Sequence, residues 1–303
     1  MSETVPRAAI HDPVAMMLDV LDLDSSAART TEDIFTGSSH PMPTGRIFGG
    51  QVLAQAIIAA DRTTGDDRIP HSMHGYFLRP GDASQGLTLS VDRIHDGRSF
   101  STRRTQAFQQ GVPIFSMISS FEREDPGLEH QASAPEGLLS PEEAQERFAG
   151  AALHPLSRRL LTESPIEVVH ADGAIYDRVE GDPSARQSVW MRARRAIGDD
   201  PVIHRAVLAY MSDLTIQEPV LRAHGVAWSH RGLKVASLDH AMWWHRPARV
   251  DEWLLYAQES PSARGGRGLS TGRLFTRDGE LVATVAQEIM VRVPDAEDAV
   301  SAG

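Results

Sequence analysis

Three side chains stand in company that does not suit them. Along LVATVAQEIMVRV, the two-residue period of a strand puts Leu281, Ala283, Val285, Gln287, Ile289 and Val291 on one face. An amide on such a face finds hydrogen-bond partners or costs about 1–3 kcal/mol, and backbone groups or a strand edge would serve as well as a functional site. Asp213 follows the apolar helical run VLAYM, residues 207–211. It is either an exposed turn residue or a carboxylate held by partners. Negative charge near a helix C-terminus is unfavourable, which leans toward a functional reason. Ser237 shares strand parity with Leu233 and Val235 and reads equally as a packed serine. A carboxylate can accept a proton as a general base, while an amide and a hydroxyl hold a polar group beside it.

Other polar residues carry weaker signals. His240 and His245 flank the pair Trp243-Trp244, and His71 and His74 occupy a similar earlier stretch. Their spacing gives no metal-ligand signature, so they read as structural. Arg79, Arg246, Arg264 and Arg267 have the charge to bind phosphate, although solvated arginine is the plainer reading. GGRG, residues 265–268, lacks the strand–helix context of a phosphate loop. No G-x-S-x-G elbow is present, which argues against an α/β-hydrolase.

The elements that must position these residues come in two copies. PHSMHGYFLRPGDASQGLTLSVDR begins at Pro70, and SLDHAMWWHRPARVDEWLLYAQES echoes it 167 positions later. Each has two aromatics before Arg-Pro, then a polar turn and an apolar strand. Aligning Pro80 with Pro247 pairs Leu87 with Leu254 and Phe108 with Phe275; one inserted residue then pairs Gly111 with Gly279 and Phe121 with Ile289. Each copy reads as antiparallel strands, with turns at Asp96-Gly97 and Gly111 in the first and Asp278-Gly279 in the second.

Strands are expected over 87–91, 99–108 and 114–121, and two more, over 166–170 and 188–194, open the second unit. Upstream of each copy lies a helix candidate, GGQVLAQAIIAADRT and PVIHRAVLAYMSDL; the first is apolar nearly all round, as buried helices are. A third, short helix is expected near Ser140. The first copy has Pro70 where the second has Ser237, Ser119 where it has Gln287, and no helical carboxylate before Asp61. One site per chain is therefore expected.

Composition narrows the function. The 303 residues include 41% apolar and 23% charged, with 30 basic against 41 acidic for a net charge of −11. Phosphates are repelled on average, which argues against nucleic acid as a partner. No apolar run approaches a bilayer span, and the N-terminus lacks a secretory pattern. Cysteine is absent, which excludes disulfides and thiolate metal sites and fits a cytoplasmic protein.

The segments RIFGGQVLAQA, HSMHGYFLRPGD, DGRSFSTRR, YMSDL, DHAMWWHRP, DEWLLY and LVATVAQE, in this order, resemble the TesB-type acyl-CoA thioesterase II family. The likeness runs over residues 18–292. It implies an α+β double hotdog: two tandem units, each a curved antiparallel sheet wrapped around a long central helix. The first unit is then residues 12–124, a linker 125–162, and the second unit 163–294 carries the catalytic residues, with a disordered tail at 295–303.

The resemblance further implies hydrolysis of medium- to long-chain fatty acyl-CoA to free acid and CoA, without metal or cofactor, by a homo-oligomer. The family's acid falls on Asp213, its hydroxyl on Ser237 and its amide on Gln287. Many bacterial relatives carry Thr at the hydroxyl position; Ser keeps the same donor and acceptors. The three would hold a water that attacks the thioester as Asp213 takes its proton. Donors for the oxyanion stay unassigned, since Gly49-Gly50 could equally serve tight helix entry. Two other readings remain. One is a hotdog dehydratase of β-hydroxyacyl thioesters, in which His74 or His240 is essential and Gln287 is not. The other is a non-catalytic acyl-CoA sensor.

Overall fold

The computed structural model describes residues 12–26, 30–42, 44–148, 162–180 and 183–294. Chain order begins with α1 (Pro13–Leu21), whose N-cap Asp12 accepts the Val14 and Ala15 N–H groups at 2.9 and 3.2 Å. Next come β1 (Asp24–Ser25), β2 (Asp33–Gly37), α2 (Gly49–Asp61), β3 (Ile69–Phe77), β4 (Leu87–Asp96), β5 (Phe100–Gln109) and β6 (Val112–Glu122). Every residue of α2 from Gly50 to Ala60 is buried. Such a helix has no polar face to offer solvent, so the antiparallel strands β2-β4-β5-β6-β3 curl around it.

The second half repeats the plan. It comprises α3 (Pro141–Arg147), β7 (Ile166–His170), β8 (Arg186–Ala193), α4 (Pro201–Ser212), α5 (Glu218–Ala223), β9 (Lys234–Ser237), β10 (Asp239–Trp244), β11 (Leu254–Arg264), β12 (Arg267–Thr276) and β13 (Leu281–Arg292). Strands β10-β13-β12-β11-β8-β7 wrap α4, which is buried from His204 to Ser212. The edge strands β3 and β10 pair antiparallel, so the two sheets are one. Inside, α2 packs on α4, and their side chains share one apolar core. This is the α+β double hotdog that the resemblance implies.

The duplication is visible in the register. β4 and β11 begin 167 residues apart, as do β5 and β12, and the extra residue enters at the turn before β13. Gly111 and Gly279 occupy equivalent turns with φ of 76° and 88°, backbone that a side chain resists.

Several details differ from the sequence expectation. β4 runs on to Asp96, and β8 starts two residues before 188. α1, β1, β2 and α5 were not anticipated. Both copies also shift register at equivalent points, the first at His71, between the pairs Pro70–Phe121 and Ser72–Ser120, and the second at Leu238. Ser237 pairs with Ile289 and Ala241 with Ala286, so the strand facing β13 has a bulge between them. The tail at 295–303 and residues 149–161 of the linker lie outside the described residues.

Candidate active site

Asp213 is the C-cap of α4 and is 4% exposed. The helix that carries it starts firmly, with Pro201 in its first turn and the Asp200 side chain accepting the Val202 and Ile203 N–H groups. Gln287 sits on the inward face of β13, in line with the buried Val285 and Ile289, and is 0% exposed. Ser237 ends β9 beside it, half-buried, where the bulge at Leu238 redirects the chain.

These three side chains meet. Gln287 Nε2 donates to Asp213 Oδ1 at 3.1 Å and to Ser237 Oγ at 2.8 Å. The Ser237 hydroxyl lies 3.4 Å from the same Asp213 oxygen. Gln217 Nε2 donates to Ser237 Oγ at 2.9 Å. Behind Gln287, its Oε1 is bonded to His240 Nδ1, and His240 Nε2 lies 3.0 Å from Ser212 Oγ.

The first unit closes the site from the other side. Phe48, the N-cap of α2, offers no capping side chain, and the Gly50 N–H of that helix turns to Asp213 instead. A Cβ on Gly49 would stand 2.6 Å from Asp213 Oδ2 and 3.1 Å from the Phe77 ring. Helix N-termini attract anions through free N–H groups and the aligned peptide dipoles.

Comparison with known proteins places the chain in a family. A family model described as acyl-CoA thioesterase matches residues 162–290, and one described as acyl-CoA thioesterase N-terminal domain matches residues 38–122. Human acyl-coenzyme A thioesterase 8 is 38% identical over 279 residues, covering 86% of this chain and 85% of its own. Acyl-CoA thioesterase 2 of Haemophilus influenzae is 36% identical over 265 residues, covering 86% and 92%. Among solved structures, acyl-CoA thioesterase II TesB2 of Mycobacterium marinum superposes with a TM-score of 0.74 at 40% identity, covering 92% and 99%. The chain belongs to the TesB-type acyl-CoA thioesterase family.

Electrostatics of the thioesterase's site follow from its burial. Burial raises the Asp213 pKa to about 6, and the bonds from Gln287, Gly50 and Ser237 keep it from rising further. Burial pushes His240 down to about 4, so its ring is neutral near pH 7. Tyr210 and Tyr256 are raised by burial and then by the Asp213 charge, which keeps both phenols protonated. A raised pKa does not single out Asp213 by itself. Asp61, at the far end of α2, is also raised to about 6 by burial and by Asp200, yet among the described residues no amide or hydroxyl converges on it in the way Gln287 and Ser237 converge on Asp213.

The remaining sequence candidates lie elsewhere in the thioesterase. His74 stacks edge-on against Trp243 at 5.0 Å on the outer sheet face, His71 against Phe100, and His245 meets Thr284 Oγ1. Arg79 and Arg246 donate to the Pro113 and Leu281 carbonyls, and Arg267 pairs with Glu288. Gly265 and Gly266 form the hairpin turn between β11 and β12. At the first copy's equivalent positions, Pro70 has no hydroxyl and Ser119 no amide. Sequence reasoning missed Gln217 and set His240 aside as structural. The signal for His240 was available, because it shares parity with Met242 and Trp244, both buried.

Proposed function

We propose that this thioesterase hydrolyses medium- to long-chain fatty acyl-CoA by direct attack of water, with Asp213 as general base and Ser237 and Gln287 as the groups that orient it. The observation carrying this reading is the convergence of an amide, a hydroxyl and a helix N–H on one buried carboxylate. Gln287, Ser237 and Gly50 occupy three of about four acceptor positions on that carboxylate, leaving one for a water. As the water oxygen bonds to the thioester carbon, one of its protons passes to Asp213. Collapse of the tetrahedral adduct breaks the C–S bond, and the proton returns from Asp213 to the departing thiolate.

Ser237 is not the nucleophile in this scheme. Its oxygen accepts from both Gln287 and Gln217, which fills both lone pairs and turns its single proton toward Asp213. A hydroxyl so engaged has no lone pair free to attack. The half-buried rings of Phe48 and Phe77 beside α2 support an apolar acyl group as the substrate's other half.

A dehydratase reading has less support. That chemistry wants a histidine paired with an acid, whereas His240 lies between an amide and a hydroxyl. In the same proposal, residues 12–124 form one unit, 125–162 a linker and 163–294 the unit bearing the site; one matched segment, 38–122, lies inside the first unit, and the other, 162–290, begins one residue before the second. We place the enzyme in the cytoplasm as a homo-oligomer that does not bind nucleic acid, the last point supported by its net charge of −11. Among the described residues, no helix is long and apolar enough to cross a membrane.

The test is thiol release from acyl-CoAs of two to eighteen carbons by wild type, Asp213→Asn and Gln287→Ala. Both variants should lose on the order of a hundred-fold or more in kcat while remaining folded. Near-normal turnover in either displaces the site.

A further inference from the structure

We propose that His240 is a positioning residue, which sets the direction of the Gln287 amide and through it the hydrogen bonds on Asp213. The proposal rests on the reading of Asp213 and Gln287 given above. The two ends of a glutamine amide are nearly the same in shape, so packing alone does not choose between them. If the amide turned over, its oxygen would face Asp213 Oδ1 across the present 3.1 Å, and attraction would become repulsion.

The carboxylate thus favours one orientation, and the ring behind the amide holds it there. Gln287 Oε1 can only accept, so His240 Nδ1 must carry a proton. His240 is 1% exposed, and burial keeps the ring neutral, with its pKa near 4. A neutral ring protonated on Nδ1 is bare on Nε2, which must then accept. Ser212 Oγ at 3.0 Å supplies that proton; the same single proton can instead be donated to the Ala209 carbonyl at 2.8 Å, and the bare Nε2 draws it away from there. The result is one directional chain. Ser212 O–H donates to His240 Nε2, His240 Nδ1–H to Gln287 Oε1, and the Gln287 amide hydrogens to Asp213 and Ser237.

Ser212 and Asp213 adjoin at the end of α4, so the chain leaves that helix end and returns to it through β10 and β13. A histidine kept only to fill space would not need both nitrogens committed to one sense. Neighbours of this kind fix tautomer and orientation in metal sites, where their loss costs roughly ten- to a hundred-fold in function.

The test compares His240→Leu, which has no donor, with His240→Asn, whose side-chain nitrogen can take the place of Nδ1. Gln287→Ala runs alongside, and a thermal melt accompanies each variant. His240→Leu should lower kcat on the order of ten- to a hundred-fold with KM within about three-fold. It should also move the acid limb of kcat/KM to higher pH, because the carboxylate loses its amide donor. His240→Asn should recover most of the lost turnover and the wild-type limb.

In the wild type, nitrogen NMR of the labelled ring should show a protonated Nδ1 and a bare Nε2 between pH 6 and 8. This readout stands even where a leucine variant does not fold. A ring protonated on Nε2, or an asparagine variant as impaired as the leucine one, overturns the proposal. So does a folded leucine variant with wild-type kcat and acid limb while Gln287→Ala is inactive; that result spares the reading of the trio. Full activity in Gln287→Ala removes the trio itself.

Discussion

Asp213 and Gly49 come from different halves of the chain, and a Cβ on Gly49 would stand 2.6 Å from the Asp213 carboxylate. The proximity resolves an electrostatic difficulty. Asp213 caps the C-terminal end of α4, where the helix's own dipole repels negative charge. The opposing N-terminus of α2 meets it there, and the Gly50 N–H supplies a donor to the carboxylate. The first unit has no trio of its own, but its helix carries part of the second unit's charge.

Gly49→Ala should therefore act on the chemistry. The new methyl displaces the carboxylate or the Phe77 ring, so kcat/KM should fall roughly ten-fold or more with at most a modest drop in Tm. Gly127→Ala, where nothing lies within 4 Å, is the control and should change neither. Equal activity in the two variants would show that Asp213 does not need its seat on α2.

The pH dependence of turnover tests Asp213 from another side. A general base must be ionised to work, and burial raises Asp213, proposed for that role, from 3.8 to about 6. The acid limb of kcat/KM should accordingly fall near pH 6. In Asp213→Asn the same limb should vanish from the residual activity. An acid limb near 4 would point to an exposed carboxylate.

Much of the fold was legible because its signals are local. Residues 50–60, apolar nearly all round apart from Gln51 and Gln55, mark a buried helix, and the 167-residue offset marks the duplication. The inward face of Gln287 follows from strand parity alone. What escaped depends on distant partners. α5 carries Glu218 and Arg222, which by type belong in solvent; both are 1% exposed. His170, Gln187 and Trp228 satisfy the carboxylate, and backbone carbonyls take the guanidinium. Asp213 was equally a turn residue until a helix from the other unit arrived. Ser237 was read among apolar neighbours, yet Leu233 and Val235 are only half-buried. Its position is set by the bulge at Leu238. α1 could have been found, since Asp12-Pro13 is a helix start signal.

Ser237 separates a covalent from a direct mechanism. Ser237→Thr keeps the hydroxyl and should retain turnover within a few-fold. Ser237→Ala removes one orienting bond on Asp213 and leaves the Gln287 and Gln217 donors pointing at nothing, so a loss of roughly ten- to a hundred-fold is expected. Rapid quenching and intact-mass measurement during turnover should detect no acylated protein. An adduct on Ser237 would replace the water mechanism by a nucleophilic one.

Stability against pH distinguishes Asp213 from Asp61. Both folded-state pKa values are raised to about 6 from 3.8. A raised pKa means that the folded state binds the proton more tightly. Each group's contribution is therefore complete below pH 4 and is lost as pH rises through 6. For Asp213 the loss at pH 8 is of order 3 kcal/mol, since one pKa unit corresponds to about 1.4 kcal/mol.

Relative to wild type, Asp61→Asn and Asp213→Asn should both gain denaturant resistance as pH goes from 5 to 8. Only Asp213→Asn should lose activity. The Asp213 gain should be partly offset, because an amide cannot accept from both Gln287 and Gly50 as a carboxylate does. Such a group is retained at a cost to the fold, which is the trade expected where a buried charge is needed for work. Denaturation midpoints at pH 5, 6.5 and 8 measure it. A gap between Asp213→Asn and wild type that stays constant across that range would mean that burial does not raise the Asp213 pKa.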